Sequence, residues 1–165
     1  MNTPHLLLAG ANCRKILENL RGILDAATCT LIENEIARHS AALFRFGEEH
    51  FIFAKSLSRS DWRQKISRYY YGAYNIRRAV QLHTDGIFKT DVSDHKNIDA
   101  FPSSFPNSST YKIQLVTLRD DRNIADYGFD SAEADLILSV QDAEDLVTSF
   151  TSDAKIFLNS RGLTL

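Results

Sequence analysis

The chain is poor in the residues that staple, break or span a fold. Only two of its 165 residues are cysteine, Cys13 and Cys29, which excludes a disulfide framework and any multi-cysteine zinc site. That usage fits a reducing, cytoplasmic setting. There are three prolines and seven glycines, and Pro102 and Pro106 fall in one short stretch. The apolar/polar alternation of strands is scarce. No apolar run approaches the roughly 20 residues of a membrane helix. The opening Leu6-Leu7-Leu8-Ala9 has no basic lead and soon meets Asn12, Arg14 and Lys15, so it makes a poor signal peptide. Neither charge dominates: 19 basic against 21 acidic residues leave a formal −2. That balance speaks against a generic polyanion binder, although local patches are a separate matter. Also missing are a Gly-rich phosphate loop, a nucleophile elbow, a His-Glu-x-x-His helix and a di-iron Glu-x-x-His pair. No metal or cofactor is expected.

What is there is helical periodicity. It predicts an all-α chain, an antiparallel bundle of about five helices forming one domain over residues 1–165. Thr3-Pro4 opens the first helix, whose face is Leu6, Cys13, Leu17, Leu20 and Leu24. A break is expected at Ala27-Thr28-Cys29. Thr30 with Glu33 has capping-box spacing for the second helix, with an inner stripe of Ile36, Leu43, Phe46, His50, Phe53 and Leu57. Asp61 with Gln64 opens the third, whose stripe is Ile66, Tyr69, Ala73, Ile76, Val80 and His83. Periodicity is lost over 84–110, long enough for a functional connector. The fourth helix covers 111–127 and stops at Gly128. Asp130 with Glu133 opens the last, whose seam is Leu136, Val140, Ala143, Val147, Phe150, Ala154 and Phe157.

Two polar clusters interrupt these stripes. In the fourth helix the inward row Leu115, Leu118, Arg122, Ala125 contains a guanidinium, which burial penalises by several kcal/mol unless it is paired. Asp126 lies one turn on, so an internal ion pair is one reading and a phosphate-binding arginine the other. The third helix carries Tyr69, Tyr70, Tyr71 and Tyr74, then Arg77 and Arg78, with Arg63, Lys65 and Arg68 upstream. Tyrosines one turn apart commonly pack in a core with the hydroxyl at its edge. Residues 59–89 hold seven basic and two acidic side chains, and residues 120–153 one basic and ten acidic. This asymmetry makes either a basic groove for RNA or two helices of opposite sign that pair. Asp142, Glu144 and Asp145 read as a solvated outer face. Hydrogen-bonded structural roles suit His39 and His50.

The segment from Arg68 to Ala79, Arg-Tyr-Tyr-Tyr-Gly-Ala-Tyr-Asn-Ile-Arg-Arg-Ala, resembles the aromatic-rich core helix of HEPN (higher eukaryotes and prokaryotes nucleotide-binding) domains. Leu118 to Tyr127, with its Arg122 spacer Ala125-Asp126-Tyr127 ending, resembles a later helix of that family. Asp94-His95-Lys96 followed by Ile98 and Phe101 is similar to the His-containing lead-in between them. The resemblance covers 30–158 and leaves 1–28 as an additional N-terminal helix.

The resemblance implies two functions. Many HEPN domains are metal-independent ribonucleases of toxin–antitoxin and defence systems, whose active site resembles Arg, four to six residues, then His, brought together in a homodimer. Others are helical dimerisation or binding partners of nucleotidyltransferases. The chain departs from the nuclease pattern, because the position after the spacer is Tyr127, a phenol ordinarily protonated at neutral pH. Arg45 with His50 and Arg78 with His83 match the bare spacing only by chance. The expectation is therefore a dimeric module binding RNA, a nucleotide or a partner nucleotidyltransferase, with Tyr70, Tyr74, Arg78, Arg122, Asp126 and Tyr127 around its cleft. The alternative is an endoribonuclease pairing Arg122 with His83 or His95 from another segment. A purely structural dimer is the third reading.

Overall fold

A computed structural model describes residues 12–89 and 92–165. These form five α-helices: α1 (Cys13–Leu20), α2 (Ala26–Ser56), α3 (Trp62–Asp85), α4 (Ser108–Tyr127) and α5 (Val140–Ser160). Short 3-10 turns lie at Val92–Asn97 and Glu133–Asp135. Among the described residues there is no strand, and no helix is long and apolar enough to cross a membrane. The all-α bundle is as expected.

The helix α3 is the hub, packing along α2 and against both α4 and α5. Its stripe of Ile66, Tyr69, Ala73, Ile76, Val80 and His83 is buried throughout. The five-residue link from α2 makes the two an antiparallel hairpin. Lys65 Nζ donates to Ala54 O at 3.1 Å near the link, while Ile36 and Leu82 meet at the far end.

The partner face of α2 departs from expectation. Phe46 and Phe53 are each 49% exposed, and the buried line runs instead through Ile36, Ser40, Phe44, Gly47 and Ala54. The cause is a close crossing. A Cβ on Gly47 would lie 2.6 Å from Ile76 Cγ1 and 2.7 Å from the Gly72 carbonyl, so only a hydrogen fits there. At the crossing the small residues turn inward and the Phe46 and Phe53 rings are rotated out, while Phe44 stays in the core. The helix also starts earlier than Thr30. Asp25 is its N-cap, accepting from Thr28 N at 2.7 Å, so Ala27-Thr28-Cys29 is helix and not a break.

One other start is corrected, that of α5, which Asp130 with Glu133 does not open. Asn12 caps α1, and the Thr3-Pro4 start lies outside the described residues; the chain turns after Leu20, which is 37% exposed. Asp61 precedes α3 but makes no side-chain cap bond. Residues 130–139 form turns, and α5 begins after Ser139, whose Oγ accepts from Asp142 N at 3.0 Å. The expected seam of α5 is buried from Ala143 onward.

The described part of the connector after α3 is packed. Gly86, at φ 69°, closes α3 in the left-handed conformation that glycine tolerates, and its carbonyl accepts from Cys13 N at 2.9 Å. Ile98 and Phe105 enter the core, where Phe105 meets Phe150 and Phe157 at ring distances of 5.7 and 5.1 Å. The connector's later part is thereby held against α5.

Candidate functional site

Tyr70, Tyr71, Tyr74, Arg77 and Arg78 recur at one-turn and two-turn spacings, so they share a face of α3. The 3-10 turn Val92–Asn97 and α4 both meet that face. Asp94 fastens the turn. Its Oδ2 accepts from Tyr74 Oη at 2.9 Å and from Arg77 Nη2 at 3.0 Å, with Arg78 Nε at 3.5 Å. Arg77 is fully buried and Asp94 nearly so, which makes this an internal ion pair. Burial lowers the Arg77 guanidinium from its ordinary value, while Asp94 opposes that shift.

Asp94 thus sets His95 beside the tyrosines. The His95 ring stacks on Tyr74 at 4.3 Å, and its Nδ1 lies 2.8 Å from Tyr70 Oη. Burial pushes the Tyr70 phenol far above its ordinary value, and Tyr74 up to about 12, so both stay protonated. Tyr70 Oη has His95 Nδ1 as its hydrogen-bond partner. A protonated phenol donating there leaves the ring proton of His95 on Nε2. Burial, then the Arg122 charge, lowers the His95 pKa from its ordinary value, so the ring is neutral at neutral pH.

Arg122 reaches the same face from α4. Its Nη2 donates to Tyr71 Oη, and its guanidinium lies 5.5 Å from the Tyr70 ring centre, 5.2 Å from Tyr71 and 5.3 Å from Tyr127. Three rings therefore surround one cation. Arg122 Nε is 2.7 Å from Asp126 Oδ2, but its N–H has no well-directed acceptor, so the contact is ionic. Burial works against the charge, yet the Tyr71 bond and Asp126 outweigh it and raise the Arg122 pKa. The side chain is 13% exposed, while Tyr127 is 71% exposed. The site thus opens to solvent along Arg122, Asp126 and Tyr127.

The structure therefore brings together Tyr70, Tyr74, Arg78, His95, Arg122, Asp126 and Tyr127. His83 does not join them. It lies twelve residues along α3 from Tyr71, about 18 Å at helical rise, with its Nε2 3.2 Å from Arg161 O. His39 pairs with Glu35 at 3.1 Å, and His5 lies outside the described residues. His50 Nδ1 is 3.3 Å from Arg68 Nη1, and its ring is 5.9 Å from Tyr71, at the margin of the site.

Several members escaped sequence reasoning. Tyr71 was visible only as one of a tyrosine run. Asp94 carried no signal apart from adjacency to His95. Asp121, fully buried, accepts from Ile137 N at 2.7 Å and Leu138 N at 2.9 Å, tying the turn before α5 to the helix that carries Arg122. Its place between Leu118 and Ala125 was the available clue. Glu144 is not a free surface charge: Tyr69 Oη donates to it at 2.5 Å, and Lys55 Nζ lies at 3.4 Å.

The Tyr69 hydrogen bond lowers the Glu144 pKa most, and Lys55 and the Lys65 charge add to it, but other basic groups of 59–89 find partners elsewhere. Arg63 donates to Ala125 O and Ser131 O, Lys65 to Ala54 O and Leu57 O, and Arg77 pairs with Asp94. Among the described residues no salt bridge joins 59–89 to 120–153. Nor do three His, Cys, Asp or Glu side chains converge as a metal would require. Chemically, the cluster offers a fixed guanidinium, a neutral imidazole presenting an N–H, and aromatic faces. That set suits a phosphate and its neighbouring base. Comparison with known protein families, curated proteins and solved structures finds no match.

Proposed function

We propose that the chain is a HEPN-like module that pairs with a second copy and binds RNA by a phosphate at Arg122. The setting is a prokaryotic toxin–antitoxin or defence system, with a nucleotidyltransferase as the neighbouring partner. The observation that carries the reading is Arg122 itself. Three tyrosine rings and Tyr71 Oη preorganise its guanidinium at the mouth of the site. A planar, always-charged fork held this way matches phosphate oxygens. His95, with its proton on Nε2, adds a neutral donor rather than a base. Tyr127 occupies the place where the nuclease pattern has its titrating group.

A second reading has its own observation. His95 and Arg122 share Tyr70, which contacts the ring nitrogen of one and the guanidinium of the other. An endoribonuclease would use that pair, His95 moving a proton and Arg122 stabilising charge on the phosphate. Incubating the purified chain with total RNA, with and without EDTA, separates the two. The binding module gives a saturable shift of intact RNA that Arg122→Ala abolishes. Cleavage that persists in EDTA and disappears in both Arg122→Ala and His95→Ala establishes the nuclease instead. A chain that neither shifts nor cuts RNA contradicts both.

A further inference from the structure

We propose that the Arg122 site continues across α3 onto α2 as a stacking track for single-stranded RNA, built by Tyr127, Tyr71, His50, Arg68 and Phe53. The proposal rests on the reading of Arg122 as a phosphate site and extends it to residues outside that cluster. The track is a continuous series of contacts. Arg122 lies over Tyr127 and bonds Tyr71; the Tyr71 ring is 5.9 Å from His50. His50 Nδ1 meets Arg68 Nη1 at 3.3 Å, and the Arg68 guanidinium lies 5.6 Å from the centre of Phe53. Two guanidinium groups are interleaved with four rings along its length.

Two features ask for an occupant. Phe53 is 49% exposed although folding buries rings of this size wherever it can, and it borders an open depression with Phe46, Glu49, His50 and Arg68. Arg68 is the second. No described carboxylate forms a salt bridge with it, although ten acidic side chains lie in 120–153. Glu49 is the acidic group on this depression. A cation seated on a ring face without a salt-bridge partner complements a polyanion that also carries flat bases. Single strands supply both together, since their phosphates reach the cations and their unstacked bases the rings. A duplex supplies only the phosphates. A second copy of the chain is the other candidate occupant, and sizing of the Phe53 variant distinguishes it from RNA.

The position of Arg68 sets the track's direction. Arg68 and Tyr71 are one helical turn apart on α3, about 5 Å along its axis. A strand with one phosphate at Arg122 therefore passes Tyr71 before reaching Arg68, and its next bases meet His50 and Phe53. The surface runs towards α2, away from the buried Asp94 and Arg77.

Fluorescence anisotropy of the full chain, with a labelled oligouridine and an RNA duplex of equal length, tests this. The single strand is expected to bind more tightly. Phe53→Ala and Arg68→Ala should each weaken it on the order of tenfold. Arg68→Lys should recover part of the loss, and Ile156→Ala, an exposed change on α5, should have no effect. Circular dichroism melts and sizing accompany each variant, and the Arg68 pair keeps the test decisive should Phe53→Ala fail to fold. If Phe53→Ala and Arg68→Ala bind like wild type while Arg122→Ala fails, the track is wrong and the Arg122 site stands. Equal affinity for single strand and duplex also overturns the track. So does a Phe53→Ala chain that loses RNA while turning from dimer to monomer, because the face then serves a second copy. A wild-type chain that binds neither RNA overturns both readings.

Discussion

Arg122 and Asp126, one turn apart on α4, form an ion pair of 2.7 Å at the open edge of the site. The carboxylate lies against the Nε side of the guanidinium, and its negative charge acts on any anion that approaches the same cation. Asp126 is thus a built-in competitor for any anionic ligand of Arg122. Replacing Asp126 by Asn keeps the shape and removes the competing charge. RNA affinity should rise severalfold in a filter-binding or anisotropy titration. The thermal midpoint should move little, since a partly exposed pair at this spacing contributes roughly 0.3–0.5 kcal/mol. Unchanged binding would show that Asp126 does not compete, and weaker binding that it assists the ligand.

The Asp94–Arg77 pair lies in the opposite regime. Both partners are buried, and Asp94 also accepts from Tyr74. Asp94→Ala leaves a guanidinium without its counter-ion and should cost about 3–5 kcal/mol in urea unfolding. Replacing both residues with apolar side chains should recover much of that loss. His95 would still lose its anchor in the double variant, so RNA binding should not return with stability. Full recovery of binding would show that His95 needs no fixed position.

At the α2–α3 crossing, Gly47→Ala introduces a methyl group within 2.7 Å of the Gly72 carbonyl. Backbone cannot swing away as a flexible side chain does, so the helices must separate. The expected destabilisation is about 1–3 kcal/mol, read from the denaturation midpoint. Gly22→Ala provides the control, because nothing lies within 4 Å of its added carbon.

Acid should loosen the fold before any carboxylate matters. Burial lowers the pKa values of His50, His83 and His95 below the ordinary 6.5. Between that value and their lowered ones, the unfolded chain binds protons that the folded chain does not. Stability is therefore complete above pH 6.5 and is lost as pH falls through this window. Glu144 and Asp25, also lowered, act only below their ordinary 4.5 and 3.8. The urea midpoint should fall as pH drops below 6.5, and His83→Gln should flatten that fall. A midpoint that is level or rises on acidification would contradict the assignment.

The third helix was legible in the sequence because its buried stripe is made of large side chains at regular spacing, from Ile66 to Val80. Reading the same rule on α2 placed Phe46 and Phe53 inside, because periodicity weighs bulk and the crossing at Gly47 selects for its absence. The late start of α5 was hidden for a different reason. Asp130 and Glu133 have capping-box spacing, but Asp121 draws the following turn towards α4 by two backbone bonds, a tertiary effect with no local mark. Arg122 announced itself as a charge on an apolar row. His95 could be named but not placed, since only the Asp94 anchor brings the connector onto α3. His83 sat on a well-formed helix and proved remote, because a side chain twelve residues along a straight element cannot return to its middle.

The salt dependence of single-stranded RNA binding tests the central claim most directly. Each phosphate neutralised on a single strand contributes a slope of about −0.7 in log affinity against log salt. If Arg122 holds a phosphate, Arg122→Ala should bind more weakly and lose about that much slope relative to wild type. Equal affinity and equal slope in the two proteins would contradict it.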